Sequence, residues 1–569
     1  MDRYDTPPPA NDLEYMMKPS ASIWLDLGRL LGSHRQPGIL AMAAVLIISS
    51  WMLTPSALAQ GEARPSYQIA VTINAARATL DVQESVAFTN WTGAPLSSIV
   101  LRLPPAEISG VSLTRATATN QAGEATLSNA VLEIPVQPPI QPGDRAGVDV
   151  AFSANIPRQA GRLGITSEAI TLGNWFATLS VHRGDWDRRP YTEVGDAFFT
   201  EVADFQVDVD TVQPMELAFT GTLKQRDGTR WSILAQNVRD VALVGSPRFS
   251  VAQSTVGSTQ VTAYSLNAPA QRLADSAAEI LQWYSGRFGV YPYAELRAVE
   301  ADLPASYGGM EYPGLVMLSS QYGPLQRGSA YEALLAHELA HQWFYSLVGN
   351  DQIEAAWLDE GLATLAPALF YQDVAPSVGR TQIQQIQSAP IRASLDSSLY
   401  EFSDDGPYFA AIYRPAARMM LELRDVMGAE AFDAALREYV SIHSHRIATP
   451  RALLDLLQRR TASNLNPTIS RYVNYGAFDY PTPQLWSSTL SSSTLSGSAQ
   501  LVLEASFPIG LAEVWLDNQP LVSRDIAGAR EANLALDLRG SSAGEHVLQT
   551  SIRNDEGAQF EQDIRVTIR

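Results

Sequence analysis

Two histidines four residues apart, with a glutamate directly after the first, are the residues whose types and spacing best suit chemistry. They are His337, Glu338 and His341, and they lie in a segment whose apolar positions recur at helical spacing. The pattern predicts a helix that ends near Gly349. Positions four apart on a helix differ by about 40° around its axis, so both imidazoles can bind one metal ion.

Glu338 is suited to a different task from the two histidines. It lies about 100° on from His337, at the edge of the face that carries the imidazoles. From that position it can hold the attacking water without becoming a metal ligand, as a general base must. The geometry therefore favours hydrolysis assisted by a metal ion.

The chain has no cysteine, so a third ligand must be His, Asp or Glu. Glu360 is the candidate, in the helical segment 357–364, and Thr364 one turn later is placed to orient it. Glu354 is a rival, but it lies just 13 residues beyond His341, in or near the turn between the two helices. Two histidines, one glutamate and an open position are typical of a catalytic site with one Zn²⁺ per chain.

The alternative for the zinc helix is an ordinary amphipathic helix with two solvated histidines, which the second motif around Glu360 disfavours. Another pair, His443 and His445, is two residues apart, which on a helix puts the side chains on opposite sides. We expect this pair to be solvated.

These residues resemble the aminopeptidase N-like gluzincins, in particular the bacterial branch. The family pattern is H-E-x-x-H, eighteen residues, then E within W-L-N/D-E-G, and the segment from His337 to Glu360 reproduces it. The resemblance implies a zinc metallopeptidase with a thermolysin-like, mainly α catalytic domain. It extends to segments 195–199 and 288–296 and fades beyond about residue 480.

The resemblance also identifies a substrate-binding segment ahead of the zinc helix: Gly308, Gly309, Met310, Glu311 and Tyr312 stand where the family has Gly-Ala-Met-Glu-Asn. Two glycines let a substrate backbone approach closely, and a carboxylate beside them can pair with a free α-ammonium group. Glu311 would then make the enzyme an aminopeptidase. The alternative is a plain turn that leads into a strand at 314–318.

A family tyrosine that stabilises the oxyanion corresponds to Tyr413, in segment 412–417. Tyr408 is close enough to compete for this role, and a buried core tyrosine is the other alternative. The chain departs from the family at Tyr312, which replaces Asn, and at Arg414-Pro415-Ala416, which replaces Glu-Lys-Gly. An upstream Gln-x-Glu element for amine binding is not evident.

These departures leave the reaction open in the sequence. The favoured function is an aminopeptidase that releases N-terminal residues, with Glu338 as general base and Tyr413 as oxyanion stabiliser. An endopeptidase or another hydrolase, such as an epoxide hydrolase, can use the same zinc site. A secreted binding protein with a vestigial site is the alternative from another class.

The elements that position these residues form a multidomain α+β chain. With 569 residues, 46% of them apolar and 18% charged, the chain is globular and too long for one ordinary core. Twofold alternation predicts an N-terminal all-β sandwich or saddle domain at 60–255, and helical periodicity predicts the catalytic domain at 256–480. A Ser/Thr-rich linker at 481–498 and a small C-terminal β-sandwich at 499–569 follow.

Charge indicates which partners to expect. The formal net charge of −20, without a basic stripe, disfavours nucleic acid, so the expected partners are peptides with a free N-terminus.

Residues 1–59 predict export. An apolar run of 16 residues at 38–53 follows Arg35 and precedes Ala57-Leu58-Ala59, which is typical of a signal peptide cleaved after Ala59. The alternative is an uncleaved signal anchor with membrane association. Both place the catalytic part at an extracellular or cell-surface location.

Overall fold

A computed structural model describes residues 64–304, 307–474, 486–490, 494–495, 498–517, 519–539, 541–554 and 559–568. All of them belong to one compact unit, Glu62–Arg569. The predicted signal segment 1–59 lies outside the described residues. Within the described ranges, no helix is long and apolar enough to cross a membrane.

The first part of the described chain is β-rich, as the twofold alternation predicts. Its strands are β1 (Ser66–Asn74), β2 (Thr79–Thr89), β3 (Leu96–Arg102), β4 (Val111–Ala118), β5 (Thr126–Ser128), β6 (Val131–Ile140), β7 (Arg145–Asn155), β8 (Leu163–Ile165), β9 (Ile170–Leu172), β10 (Thr178–Leu179), β11 (Ala203–Thr211), β12 (Glu216–Phe219), β13 (Thr222–Asp227), β14 (Arg230–Val238) and β15 (Leu243–Ser246). The short helix α1 (Pro105–Ile108) follows β3.

Three sheets build this region. The largest has seven strands in the order β13-β14-β11-β1-β2-β7-β4, and two four-stranded sheets have the orders β10-β3-β6-β5 and β12-β15-β9-β8. In β1 and β2 alternate residues are buried, and these inward side chains pack with those of β3 and β6 in one core. The alternation in the sequence therefore follows from one face being in the core.

A second, five-stranded sheet introduces the catalytic part of the chain. It contains β16 (Ser250–Val256), β17 (Thr259–Ser265), β18 (Glu295–Ala301), β19 (Gly309–Met310) and β20 (Leu315–Ser319), in the order β16-β17-β18-β20-β19. The predicted domain boundary between residues 255 and 256 falls inside β16. Because β16 pairs with β17 in this sheet, the transition between the two parts lies before Ser250.

Helices then dominate, as the change of period predicts. They are α2 (Ala270–Phe288), α3 (Ala330–Ala340), α4 (Trp357–Val374), α5 (Pro376–Gln387), α6 (Asp405–Met427), α7 (Ala429–His443), α8 (Pro450–Arg459) and α9 (Asn466–Ile469), with a 3₁₀ turn at Leu399–Glu401. Two short strands, β21 (Val348–Gly349) and β22 (Arg446–Ile447), pair in parallel. The helices share one hydrophobic core with β17, β18 and β20.

The zinc helix α3 is shorter than predicted. It ends at Ala340 rather than near Gly349, because the chain turns after His341 and Tyr345 adopts a positive φ of 129°. The apolar residues that continued the helical pattern are buried in this turn instead, among them Phe344 and Leu347. Burial without helix therefore imitated the helical period.

The C-terminal part is again β-structured. Its strands are β23 (Trp486–Leu490), β24 (Thr494–Leu495), β25 (Ser498–Leu516), β26 (Gln519–Asp537), β27 (Gly544–Asn554) and β28 (Gln559–Ile568), which form one six-stranded sheet. The linker prediction for 481–498 needs correction, because β23 pairs with β25 in this sheet. Serine and threonine side chains are compatible with a strand whose backbone bonds to a neighbour.

Candidate active site

Three side chains converge where α3 meets α4. His337 and His341 extend from the end of α3, and Glu360 extends from the first turn of α4. The two Nε2 atoms are 3.2 Å apart, and Glu360 Oε2 lies 3.3 Å from His337 Nε2 and 3.6 Å from His341 Nε2. The spacing in the sequence thus corresponds to a compact donor set.

This donor set fits a zinc ion. A tetrahedral ion with ligands at about 2.0–2.1 Å separates its donor atoms by roughly 3.3 Å, close to all three distances. Glu360 Oε2 is buried and has no hydrogen-bond partner among the described residues. His341 Nδ1 lies 2.9 Å from the carbonyl of Phe344, so the ring can donate there and leave Nε2 free for a metal.

Electrostatics also prepares Glu360 as a ligand. Burial alone would raise the pKa of Glu360, but the adjacent imidazoles of His341 and His337 lower it to about 2. The carboxylate is therefore ionised, as a zinc ligand requires.

Glu354 does not reach the donor set. Its side chain is 48% exposed and pairs with Arg189 at 3.2 Å, so Glu360 and not Glu354 joins the histidines. Thr364 also departs from its predicted orienting role. Its hydroxyl is buried without a hydrogen-bond partner among the described residues, whereas Tyr413 donates to Glu360 Oε1 at 2.8 Å.

Glu338 is held against the substrate-binding segment. It is buried, and a Cβ on Gly309 would collide with its carboxylate. Burial raises the pKa of Glu338 well above its usual range, and the nearby Glu311 and Glu360 raise it further. A raised pKa suits a group that must accept and then release a proton near neutral pH.

The predicted substrate-binding segment forms an edge strand. In β19, Gly309 and Met310 pair with Leu318 and Met317 of β20, and β19 ends the sheet. Gly308 does not line the cavity with them. Its φ of +71° is a conformation that side chains other than glycine rarely adopt, so its role is conformational.

Glu311 lies among further carboxylates. It accepts a hydrogen bond from Gln352 at 3.2 Å, and its carboxylate is within 4.8 Å of carboxylate oxygens of both Asp196 and Glu360. Asp196 belongs to the N-terminal β-rich part and forms an ion pair with Arg162 at 3.2 Å. The site thus receives acidic groups from both parts of the chain.

Asp196 is the residue that the sequence analysis missed. It lies in segment 195–199, which the resemblance marked without giving a role. The contact with Glu311 spans more than one hundred residues, so neither helical nor strand periodicity could reveal it. Burial raises the pKa of Asp196 well above its usual range, with Glu311 adding to the shift and Arg162 opposing it.

Asp359 fixes the start of α4 next to the ligand Glu360. It is buried and accepts hydrogen bonds from Asn350 at 2.9 Å and from Gln352 at 2.7 Å. Burial, followed by the charge of Glu360, raises the pKa of Asp359 to about 8. Since Gln352 also donates to Glu311, one amide connects the metal helix to the substrate-binding segment.

Tyr413, and not Tyr408, faces the donor set. The Tyr413 ring stacks on His337 with centroids 5.8 Å apart, and its hydroxyl contacts Glu360. Tyr408 is buried against Gly195 outside the cavity lining. Helices α4 and α6 approach closely because Gly361 has no side chain to meet Ala416, which brings Tyr413 to the ligand.

Tyr312, which replaces the family Asn, is anchored in the β-rich part. Its hydroxyl donates to Asn174 at 3.0 Å, and Asn174 in turn donates to the buried Asp240 at 2.8 Å. A Cβ on Gly173 would collide with this hydroxyl. The substitution is therefore accommodated by a glycine and a polar pair in the neighbouring sheet region.

The second histidine pair differs from expectation. His443 is 7% exposed and packs against Tyr439, so it is buried and not solvated. Burial lowers the pKa of His443 to about 4, which keeps it neutral. His445 is partly buried and has a positive φ of 61°. Neither belongs to a group of candidate ligands in the described part of the chain.

A cavity of about 820 Å³ contains the donor set. Among the residues that line it are Asp196, Glu311, Glu338 and Tyr413, together with the three metal-binding candidates. An open cavity of this volume is large enough for part of a peptide. The arrangement defines the class of site: a His2Glu metal centre with a general base, an oxyanion donor and a carboxylate pair.

Comparisons with known proteins agree with this class. Residues 273–472 match the Peptidase family M1 domain. Aminopeptidase N of Lactobacillus delbrueckii subsp. lactis is 28% identical over 214 residues, which are 34% of this chain and 25% of that protein. Aminopeptidase N of Lactococcus lactis subsp. lactis is 24% identical over 240 residues, 38% of this chain and 28% of that protein. The chain thus matches about a quarter of each relative's length.

The fold is shared more widely. The M1 zinc metallopeptidase from Deinococcus radiodurans has a TM-score of 0.56 at 20% identity, over 72% of this chain and 94% of that one. A mutant of that protein has been solved with a Tyr-Ser-Ala substrate. The predicted resemblance to the aminopeptidase N-like gluzincins is confirmed.

Proposed function

We propose that this chain is a zinc-dependent aminopeptidase that removes N-terminal residues from peptides. The observation that carries the proposal is a pair of carboxylates, Asp196 and Glu311, beside the buried donor set of His337, His341 and Glu360. The donor set supports metal-assisted hydrolysis. The carboxylate pair supports recognition of a free amino terminus.

His337, His341 and Glu360 would hold the zinc ion. The chemistry that zinc supplies at such a site is Lewis-acid activation of the scissile carbonyl and of water. Glu338 takes the proton of the attacking water and passes it to the leaving amine. The Tyr413 hydroxyl, which donates to Glu360, is placed to donate to the oxygen on which negative charge develops.

Glu311 and Asp196 set the position of the substrate. An α-ammonium group has three N–H donors and can bond to both carboxylates at once. Because their oxygens lie within 4.8 Å of each other and of Glu360, the first peptide bond would lie next to the donor set. The free edge of β19 can add main-chain hydrogen bonds to an extended substrate.

Neighbours support a peptide substrate. The M1 zinc metallopeptidase from Deinococcus radiodurans binds the tripeptide Tyr-Ser-Ala, and this chain has the same fold. The M1 family match of the helical region supports a thermolysin-like catalytic domain there. We further propose a β-sandwich for residues 499–569, on the basis of the long paired strands β25 and β26.

We also propose that the catalytic part lies outside the cytoplasm. The support is the apolar run at 38–53 and the Ala57-Leu58-Ala59 site in the sequence. N-terminal sequencing of the chain exported by its host would identify Gln60 as the first residue if cleavage follows Ala59. A chain that starts at Met1 in the membrane fraction would contradict cleavage and support the anchor.

The test of the proposed activity uses two peptides that differ only in a free or acetylated amino terminus. The zinc-loaded chain should cleave the free peptide and spare the acetylated one, because acetylation removes the charge that Glu311 and Asp196 bind. A chelator should abolish the cleavage. Equal cleavage of both peptides would indicate an endopeptidase, and cleavage of neither would contradict the proposed activity.

A further inference from the structure

The cavity carries opposite charges in different parts. Asp196 and Glu311 lie on the side proposed to receive the amino terminus, where Arg162 is already paired with Asp196. Two further arginines, Arg392 and Arg414, also line the cavity. Neither forms an ion pair or hydrogen bond with any described residue.

A second pocket of about 520 Å³ adjoins the main cavity. The two share His337, Thr364 and Arg414 in their linings, so they meet beside the metal-binding candidates. No carboxylate lines the second pocket, and Asp196 and Glu311 are absent from it. Arg414 is the one arginine in its described lining. This pocket therefore continues away from the acidic side, where the leaving part of a substrate must go.

Arg414 has the right position to meet that leaving part. It follows Tyr413 on α6, and Tyr413 contacts the ligand Glu360 at 2.8 Å. One turn later on the same helix, Arg418 is paired with Glu422 at 3.0 Å. The helix thus neutralises one arginine internally and presents the other, unpaired, to the cavity.

We propose that Arg414, assisted by Arg392, binds the C-terminal carboxylate of short peptides, and that the preferred substrates are therefore peptides of about three residues. This inference rests on the proposed aminopeptidase function and adds a specificity site to it. Guanidinium groups bind carboxylates with paired N–H donors. A short peptide has an ammonium group at one end and a carboxylate at the other, which matches the separation of charge along the cavity.

Length follows from reach. Each extended residue adds about 3.3–3.6 Å, so three extra residues would move the carboxylate roughly 10 Å further from the scissile bond. At that distance an exposed guanidinium group contributes little, because solvent and salt screen the interaction. The preference for a free carboxylate should therefore be strong for a tripeptide and weak for a hexapeptide.

The experiment measures kcat and KM for tri-alanine and for its C-terminal amide, with the wild type and with Arg414→Gln. We expect the wild type to favour the free acid about fivefold in kcat/KM, mainly through KM, because the contact lies far from the reacting bond. Arg414→Gln should bring the acid-to-amide ratio close to one, and Arg414→Lys should restore part of it. Hexa-alanine and its amide should give a ratio near one with the wild type.

A matched control is Arg272→Gln, which removes an exposed arginine on α2 outside both linings and should keep the wild-type ratio. A wild-type ratio near one for tri-alanine would overturn the inference while leaving the aminopeptidase function intact. A ratio that survives in Arg414→Gln would also overturn it. So would a tripeptide amide with glutamate in third position that is cleaved as fast as the free acid, since the site would then recognise an acidic side chain. Cleavage of no peptide by the wild type would contradict the proposed function itself.

Discussion

Replacing Gly309 by alanine tests whether the substrate-binding segment holds the general base in place. A Cβ at this position would lie 2.6 Å from Glu338 Cγ and still closer to the carboxylate atoms. Ordinary contact begins near 3.4 Å, so Glu338 or β19 must move by about 0.8 Å. Glu338 is 4% exposed, which leaves no solvent-filled space into which it can swing.

A displacement of about 1 Å in a catalytic group costs roughly 100-fold in rate, and overpacking costs about 1–3 kcal/mol of stability. We therefore expect Gly309→Ala to lose about two orders of magnitude in kcat and to keep its zinc, because Gly309 does not touch the metal-binding candidates. The assay combines kcat on a free-amine peptide with zinc content per chain.

The control for this variant is Gly286→Ala, an exposed position in α2 where an added Cβ meets nothing within 4 Å. It should keep the wild-type kcat and gain about 0.5–1 kcal/mol of stability, as alanine does over glycine inside helices. Wild-type kcat in Gly309→Ala would refute the idea that β19 confines Glu338.

Three further changes probe other parts of the account. Tyr413→Phe should lower kcat by about 100- to 1000-fold with zinc retained, and an unchanged kcat would exclude the oxyanion role. Glu311→Gln should lower kcat/KM about tenfold or more for free-amine peptides, so a normal value would remove its role in amine binding. Burial raises the pKa of Glu84 to about 8, so the folded chain retains a proton that the unfolded chain has lost between about pH 4.5 and 8. Stability therefore falls by up to about 1.4 kcal/mol per pH unit there, and Glu84→Gln should gain on the wild type in urea unfolding from pH 5 to pH 8; a pH-independent difference would contradict this.

The parts of the site that depend on local spacing could be predicted from the sequence. His337 and His341 share a helical face whatever the surrounding fold, and Glu360 lies in the first turn of the next helix. The alternation in β1 and β2 likewise follows from one buried face. These features require only the geometry of a single element.

Features that depend on long-range packing could not be predicted in this way. The end of α3 is set by a turn whose buried residues continue the helical period, and Asp196 reaches Glu311 from another part of the chain. Thr364 has the right helical spacing to orient Glu360, yet Tyr413 on α6 makes that contact because Gly361 and Ala416 let two helices meet. The strand β23 is specified by its partner β25 rather than by its own composition.

The central claim is that one zinc ion, bound by His337, His341 and Glu360, acts with Glu338 in peptide hydrolysis. The most direct measurement determines zinc per chain and kcat together for Glu338→Gln and His341→Ala. The account predicts one zinc and almost no turnover for Glu338→Gln, and loss of both zinc and turnover for His341→Ala. Wild-type turnover in Glu338→Gln, or a full zinc content in His341→Ala, would contradict it.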